Sequence, residues 1–165
     1  MKTLKWKKVP YKPVQDLIRL EPVSKSNLKE CANLPIGEDH KFVAPNVWSI
    51  AEAQFWIGSK SCCIYHGGEM VGYILYNLSF NDEGNLQLWI NRLMIAEPWR
   101  GNGYGRAVIQ QCIAEARQQD CVEVGLSTGP DNYQAIRLYE SLGFRSTREL
   151  MGDETVYICS LTYPS

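Results

Sequence analysis

A predicted β-strand is followed by a short glycine-rich segment and then by a predicted helix. Of all the features of the sequence, this succession constrains the fold most. Residues 86–95 are rich in Leu, Ile and Trp and predict a long β-strand that ends at Glu97-Pro98. Residues 100–105 (RGNGYG) precede a helix pattern with apolar residues at i, i+3, i+4 and i+7, from Ile109 to Ala116. Backbone N–H groups that are free at such a helix start bind phosphate well. We therefore expect a diphosphate-bearing ligand over this turn.

The hydrophobic period also changes repeatedly along the rest of the chain. Strands are predicted at residues 4–9, 62–66, 70–78, 86–95, 122–127, 144–150 and 155–161, and helices at 24–31, from 49, after 105 and after 132. The order is β-α-α-β-β-β-α-β-α-β-β. This order predicts the α/β (α+β) class, with a mixed sheet and helices on its faces. The length of 165 residues predicts a single domain over residues 1–165.

Three helix boundaries carry specific signals. Ser49, followed three residues later by Glu52, predicts a capping box at the start of a helix whose apolar side includes Ile57. Asn132 predicts the cap of the last helix, and Gly143 predicts its end.

Charge and composition disfavour several classes of function. The 165 residues carry 17 basic and 18 acidic side chains, so a nucleic-acid partner is not expected. Apolar stretches are far shorter than the roughly 20 residues that span a bilayer, and no membrane association is expected. No apolar region follows the basic residues 1–8, so no signal peptide is expected either.

The cysteines predict neither a metal site nor a disulfide framework. Six cysteines form no C-x-x-C pair, and the chain has only two histidines. Cys112 and Cys159 fall on predicted buried faces. We expect small apolar thiols in a reducing, cytoplasmic protein.

The glycine segment fits neither standard nucleotide motif. Gly105-Arg106-Ala107 lacks the Lys-Ser/Thr that follows the last glycine of a P-loop. Arg106 also occupies the position of the third glycine in a dinucleotide fingerprint.

The pattern Arg100-x-x-Gly103-x-Gly105 instead resembles the acetyl-CoA loop of the GNAT superfamily of N-acetyltransferases. Residues 132–144 (NYQAIRLYESLGF) are similar to the second signature of that superfamily, and the element order matches as well. Residues 89–95, 135–139 and 152–154 look most like bacterial spermine/spermidine (diamine) N-acetyltransferases. The resemblance implies transfer of an acetyl group from acetyl-CoA to a primary amine, a polyamine or small diamine, by direct attack in a ternary complex.

The resemblance also implies a set of residues that contact acetyl-CoA. The backbone of residues 93–95 would pair with the pantetheine amides, and the N–H groups of residues 100–105 would hold the diphosphate. The full set is Leu93, Met94, Ile95, Arg100, Gly101, Asn102, Gly103, Tyr104, Gly105, Arg106, Asn132 and Tyr139.

Tyr139 and Asn91 occupy the positions implied to be catalytic. A phenol with a pKa near 10 can donate a proton to the departing CoA thiolate, the role implied for Tyr139. An amine with a pKa near 10.4 is neutral in only about one molecule in 10³ at pH 7, so a proton must also be removed. Similar polyamine enzymes carry a carboxylate where this chain has Asn91, which cannot act as a base. Three alternatives remain open. The amine proton leaves through a chain of water molecules, another carboxylate acts as the base, or the acceptor is not a polyamine.

A cationic acceptor favours carboxylates and aromatic faces along a groove. Glu38, Asp39 and Asp82 are the candidate acidic residues of that groove, and Trp89 is a candidate wall. Other candidates for the wall are Trp48, Trp56 and Tyr76.

Two other functions fit the same motifs. The first is an acetyltransferase whose acceptor is a protein N-terminus, a lysine or an aminoglycoside. The second is a domain that binds acyl-CoA without catalysis. Similar enzymes are often dimers, and the C-terminal hairpin offers an edge strand for a homodimer.

Overall fold

A computed structural model describes residues 4–5, 18–37 and 45–162. Within these residues, seven strands form one sheet in the order β1-β2-β3-β4-β5-β7-β6. The elements are β1 (Arg19–Pro22), α1 (Leu28–Ala32), α2 (Asn46–Ala53), β2 (Lys60–His66), β3 (Glu69–Phe80), β4 (Leu86–Ile95), a 3₁₀ turn (Glu97–Trp99), α3 (Tyr104–Gln118), β5 (Glu123–Thr128), α4 (Tyr133–Ser141), β6 (Arg145–Met151) and β7 (Glu154–Ser160).

The sheet is mixed because α3 carries the chain from β4 to a parallel neighbour. Strands β1 to β4 are antiparallel to one another, β4 and β5 are parallel, and β7 runs antiparallel to both β5 and β6. The ladder between β4 and β5 extends from the pair Gln87–Glu123 to the pair Ile90–Leu126, whereas β4 continues to Ile95.

Two hydrophobic cores lie on opposite faces of the sheet. On one face, Ile74 and Leu88 pack with Ile109 of α3, and the residues of α4 cover the same core. On the other face, Tyr73 of β3 packs with Ile50 of α2 and with α1. Neighbouring residues of β3 enter different cores because successive side chains of a strand point to opposite faces. Each fully buried aliphatic side chain contributes about 1.5–3 kcal/mol to stability.

The predicted order of elements is confirmed, but the first strand is not the one predicted. Strand β1 (Arg19–Pro22) pairs with β2, from Arg19 opposite Tyr65 to Pro22 opposite Cys62. It has four residues, two of them charged, and is too short for its alternation to stand out in the sequence. The strand predicted at residues 4–9 lies outside the described residues apart from 4–5.

The predicted capping box at Ser49 is wrong. Helix α2 begins at Asn46, after Pro45, and places Ser49 inside the helix, where it is buried. The Ser49 hydroxyl accepts a hydrogen bond from Arg92 Nε at 3.0 Å, so it holds α2 against β4 instead of capping the helix. Ile57 lies beyond the helix end and is 80% exposed.

The predicted boundaries of α4 are confirmed. Asn132 occupies the N-cap position, although its side-chain amide donates to Thr128 Oγ1 at 3.3 Å and not to the helix. Gly143 follows the C-cap residue with a φ of 96°.

All six cysteines are buried free thiols, as predicted. Burial raises the pKa of the Cys62 thiol to about 12, which keeps it protonated at neutral pH. No helix in the described ranges has the length and apolar character to cross a membrane.

Replacing Gly72 by Ala should destabilise the sheet. A Cβ at Gly72 would lie 2.3 Å from the carbonyl oxygen of Met94, so β3 and β4 would have to move apart. We expect a loss of about 1–3 kcal/mol in the free energy of unfolding, measured by urea titration.

Gly68→Ala is the matched control, because a Cβ at Gly68 in the β2–β3 turn meets no atom within 4 Å. Equal midpoints for the two variants would contradict this account of β3–β4 packing.

Candidate functional site

A pocket of about 300 Å³ lies where β4 runs into the glycine segment and α3. Its wall is formed by the end of β4, the loop after it, the start of α3 and one side of α4. The residues that line it are Leu93, Met94, Ile95, Trp99, Arg100, Gly101, Gly103, Tyr104, Gly105, Arg106, Asn132, Gln134, Ala135, Leu138 and Tyr139. The structure therefore brings together every predicted cofactor residue except Asn102.

The glycines shape the floor of this pocket by leaving space above the backbone. Gly101 and Gly103 have φ values of 77° and 83°, which few residues other than glycine adopt. Gly103 is also the N-cap of α3, so no side chain caps the first-turn N–H groups. These N–H groups have no partner inside the helix and carry its positive dipole end. The helix start is therefore able to accept an anion.

The polar side chains of the loop are used mainly to hold its shape. The Arg100 guanidinium donates to the carbonyls of Ile95 and Ile36 at 3.0 and 2.8 Å. Asn102 is exposed, and its amide donates to the carbonyl oxygens of Trp99 and Arg100. Arg106 donates to Ser141 Oγ at 2.7 Å and joins α3 to α4. Arg100 and Arg106 both line the pocket, so it carries two positive charges that favour an anion.

Tyr139 extends from α4 into the pocket. Its ring lies 6.0 and 6.5 Å from those of Phe144 and Tyr157, which fix its position. Burial, with a smaller contribution from the charge of Glu154, raises the pKa of Tyr139 to about 12. The phenol is therefore protonated at neutral pH and able to donate its proton or a hydrogen bond.

Asn91 lies at a β-bulge where β4 leaves β5. Leu75 of β3 pairs with Arg92 and Tyr76 with Ile90, so Asn91 is the extra residue of β4. The β4–β5 ladder ends at Ile90, one residue before the bulge. Asn91 Nδ2 donates to Asn77 Oδ1 at 2.6 Å, which anchors its side chain to β3. The bulge has no sequence signature, and sequence reasoning missed it.

A second pocket, of about 70 Å³, lies at the gap between the two strands. It is lined by Ile90, Asn91, Arg92, Leu93, Leu126, Ser127, Thr128, Asn132, Tyr139 and Glu154. Leu93, Asn132 and Tyr139 line both pockets. Because these residues are shared, the gap places Tyr139 between the first pocket and the second.

The second pocket contains a hydrogen-bonded pair of polar residues, Ser127 and Glu154, that sequence reasoning missed. Ser127 Oγ donates to Glu154 Oε2 at 2.6 Å. Trp89 lies on the same strand face as this pair, close to Gly125, where a Cβ would come within 2.3 Å of the indole ring. Ser127 and Gly125 alternate with buried Val124 and Leu126 in β5, so the strand pattern already indicated their common face.

Of the three predicted acidic residues of the groove, only Asp82 falls in the described part of the chain, and it lines neither pocket. Asp82 is exposed in the β3–β4 turn, at the end of β4 away from the glycine segment. Glu38 and Asp39 lie outside the described residues. Trp48 and Trp56 are 65% and 41% exposed. Tyr76 is buried in the core under α3, where its hydroxyl donates to Glu115 at 2.8 Å, so it does not wall the groove.

Curated relatives of this chain include acetyltransferases with different acceptors. The chain is 33% identical over 95 residues to the spermine/spermidine N(1)-acetyltransferase of Bacillus subtilis, a match over 55% of this chain and 62% of that enzyme, less than two thirds of its length. It is also 33% identical over 84 residues to human N-alpha-acetyltransferase 30, over 51% of this chain and 23% of that protein.

Solved structures share the fold at low identity. The paiA N-acetyltransferase of Thermoplasma acidophilum in complex with coenzyme A superposes with a TM-score of 0.65 at 13% identity, over 87% of this chain and 98% of that one. Arabidopsis thaliana Naa50 with a bisubstrate analogue gives a TM-score of 0.58 at 20% identity, over 88% and 99% of the two chains.

The family model of the acetyltransferase (GNAT) family matches residues 30–144, which include β4, the glycine segment, α3 and α4. This match covers more than half of the chain, and the solved acetyltransferase structures share its fold. The chain belongs to the acetyltransferase (GNAT) family.

Proposed function

We propose that this protein is an N-acetyltransferase that moves an acetyl group from acetyl-CoA to a primary amine, with a polyamine or small diamine as the preferred acceptor. The observation that carries the proposal is the gap between β4 and β5, where Tyr139 lines both the pocket beside the glycine segment and the smaller pocket. The gap allows two substrates to meet from opposite sides at one phenol.

The larger pocket suits acetyl-CoA in both shape and charge. The N–H groups at the start of α3 and the guanidinium groups of Arg100 and Arg106 would hold the diphosphate. The ladder to β5 stops at Ile90, so residues 93–95 do not pair with β5, and backbone groups there would pair with the pantetheine amides instead. Bound acetyl-CoA supplies a thioester whose C–S bond breaks as the amine nitrogen forms the new C–N bond.

Tyr139 would supply the proton that the departing sulfur requires. Its raised pKa, about 12, keeps the hydroxyl protonated across the neutral and mildly alkaline range. The proton that the amine nitrogen loses would pass to water in the smaller pocket, with Asn91 orienting that water through its side-chain oxygen. Asn91 cannot take the proton itself, because a carboxamide is not basic.

A peptide N-terminus is the second candidate acceptor. Asn91, in place of a carboxylate, favours this alternative, and a relative named N-alpha-acetyltransferase 30 is as similar over its matched segment as the Bacillus subtilis enzyme.

Release of free thiol from acetyl-CoA should distinguish a polyamine acceptor from a peptide acceptor. We expect faster release with spermidine or spermine than with peptides, whereas no release with any amine in a panel would remove the polyamine proposal.

Tyr139→Phe should lower kcat with spermidine about 100-fold. The phenylalanine ring keeps the packing against Phe144 and Tyr157, so the melting temperature and the affinity for CoA should be unchanged. Stopped-flow or steady-state thiol assays measure kcat, and calorimetry measures the affinity. Unchanged turnover in the variant would favour a non-catalytic acyl-CoA binder.

In the wild type, ionisation of Tyr139 should not lower kcat between neutral pH and about pH 10, because its pKa lies near 12.

Gly103→Val should weaken CoA binding at least about tenfold. A branched side chain at this position strains the backbone at φ 83° and projects over the N–H groups that would hold the diphosphate. Gly84→Val is the matched control, because Gly84 has a φ of 79° in the β3–β4 turn and an added Cβ there would meet no atom within 4 Å, as at Gly103. Both variants should lose similar stability, and equal CoA affinity for the two would contradict the proposed diphosphate site.

A further inference from the structure

The smaller pocket contains one carboxylate among the described residues that line it, and the proposed chemistry has not used it. Glu154 is the first residue of β7 and follows the Gly152-Asp153 turn directly. Its Oε2 accepts a hydrogen bond from Ser127 Oγ at 2.6 Å, which restricts the carboxylate to one orientation on the sheet surface. The second carboxylate oxygen would then contact a ligand in the pocket.

Glu154 lies close to the reacting centre. It lines the same small pocket as Tyr139, and its negative charge contributes to the raised pKa of that phenol. Ser127 neighbours buried Leu126 and Thr128 along β5 and therefore lies on the opposite, open face of the sheet, as Gly125 does. The carboxylate thus faces the side of the gap away from α3 and α4.

We propose that Glu154, oriented by Ser127, binds the cationic amino group of the acceptor beside Tyr139. This inference rests on the proposed function and names the residue that selects the acceptor. It assigns to β7 the negative charge that Asn91 lacks on β4. The acceptor class that fits is a primary amine without a carboxylate close to its amino group. Such a carboxylate would be repelled by the negative charge of Glu154.

The other charged residue of this pocket does not cancel that preference. Arg92 lines the pocket as well, but its Nε donates to Ser49 of α2, so the guanidinium is held toward that helix. The pocket therefore has a cationic end at α2 and an anionic end at β7. An ammonium group is attracted to the β7 end, which is the end that Glu154 shares with Ser127.

Glu154→Gln tests this assignment with little change in shape. We expect kcat/KM for spermidine to fall about 10–100-fold, mainly through a higher KM, because a charge-assisted hydrogen bond is lost. The KM for acetyl-CoA and the affinity for CoA should stay unchanged. Increasing salt should raise the spermidine KM of the wild type and have less effect on that of the variant.

Asp153→Asn is the matched control, because it removes the same charge from a neighbouring residue that is exposed, as Glu154 is, but does not line the pocket. It should leave the spermidine KM within about twofold of the wild type, since Asp153 does not line the pocket and its charge is screened from the acceptor by salt. Glu154→Asp should recover part of the lost kcat/KM, because it restores the charge.

The outcomes separate this inference from the proposed function. A wild type that releases no thiol with any amine overturns the proposed function and this inference with it. If the wild type is active but the Glu154→Gln and Asp153→Asn variants have the same spermidine KM and kcat/KM, this inference alone is overturned. If Glu154→Gln fails to bind CoA, Ser127→Ala carries the test. That variant should raise the spermidine KM several-fold, and an unchanged KM overturns the assignment.

Discussion

The separation of β4 from β5 is the constraint on which the rest of this structure depends. The two strands are hydrogen-bonded as far as Ile90 and Leu126, and a bulge at Asn91 then turns β4 away from its neighbour. A parallel pair that continued to Ile95 would leave no space at the centre of the sheet. Since the ladder stops, backbone groups face the gap, and Tyr139 of α4 borders it.

The two faces of the sheet present different groups beside the gap between β4 and β5. The face covered by α3 and α4 carries the glycine-lined helix start, whose positive end favours a diphosphate. Among the described residues, α1 and α2 pack on the opposite face against β2 and β3, and near β5 and β7 that face presents Trp89, Ser127 and Glu154. An acetyl donor and an amine acceptor would therefore approach the same phenol from different sides. This arrangement suits direct transfer, because neither substrate has to leave before the other binds.

Local patterns predicted most of the fold and the larger pocket. The strand at 86–95, the glycine segment and α3 adjoin one another in sequence, so their periodicity and spacing were sufficient to locate the glycine-lined helix start. Features that depend on distant contacts were missed. Ser49 reads as a helix cap but binds Arg92, which is 43 residues away. Glu154 lines the same pocket as Tyr139 because β7 lies between β5 and β6, and no local pattern predicts that strand order.

The most direct test is a crystal structure of the protein with CoA bound. The account predicts that the diphosphate contacts the N–H groups at the start of α3, that the pantetheine lies along residues 93–95, and that the sulfur comes within about 3.5 Å of the Tyr139 hydroxyl. A CoA molecule whose sulfur lies outside the gap between β4 and β5, or whose diphosphate binds away from the glycine segment, would contradict it.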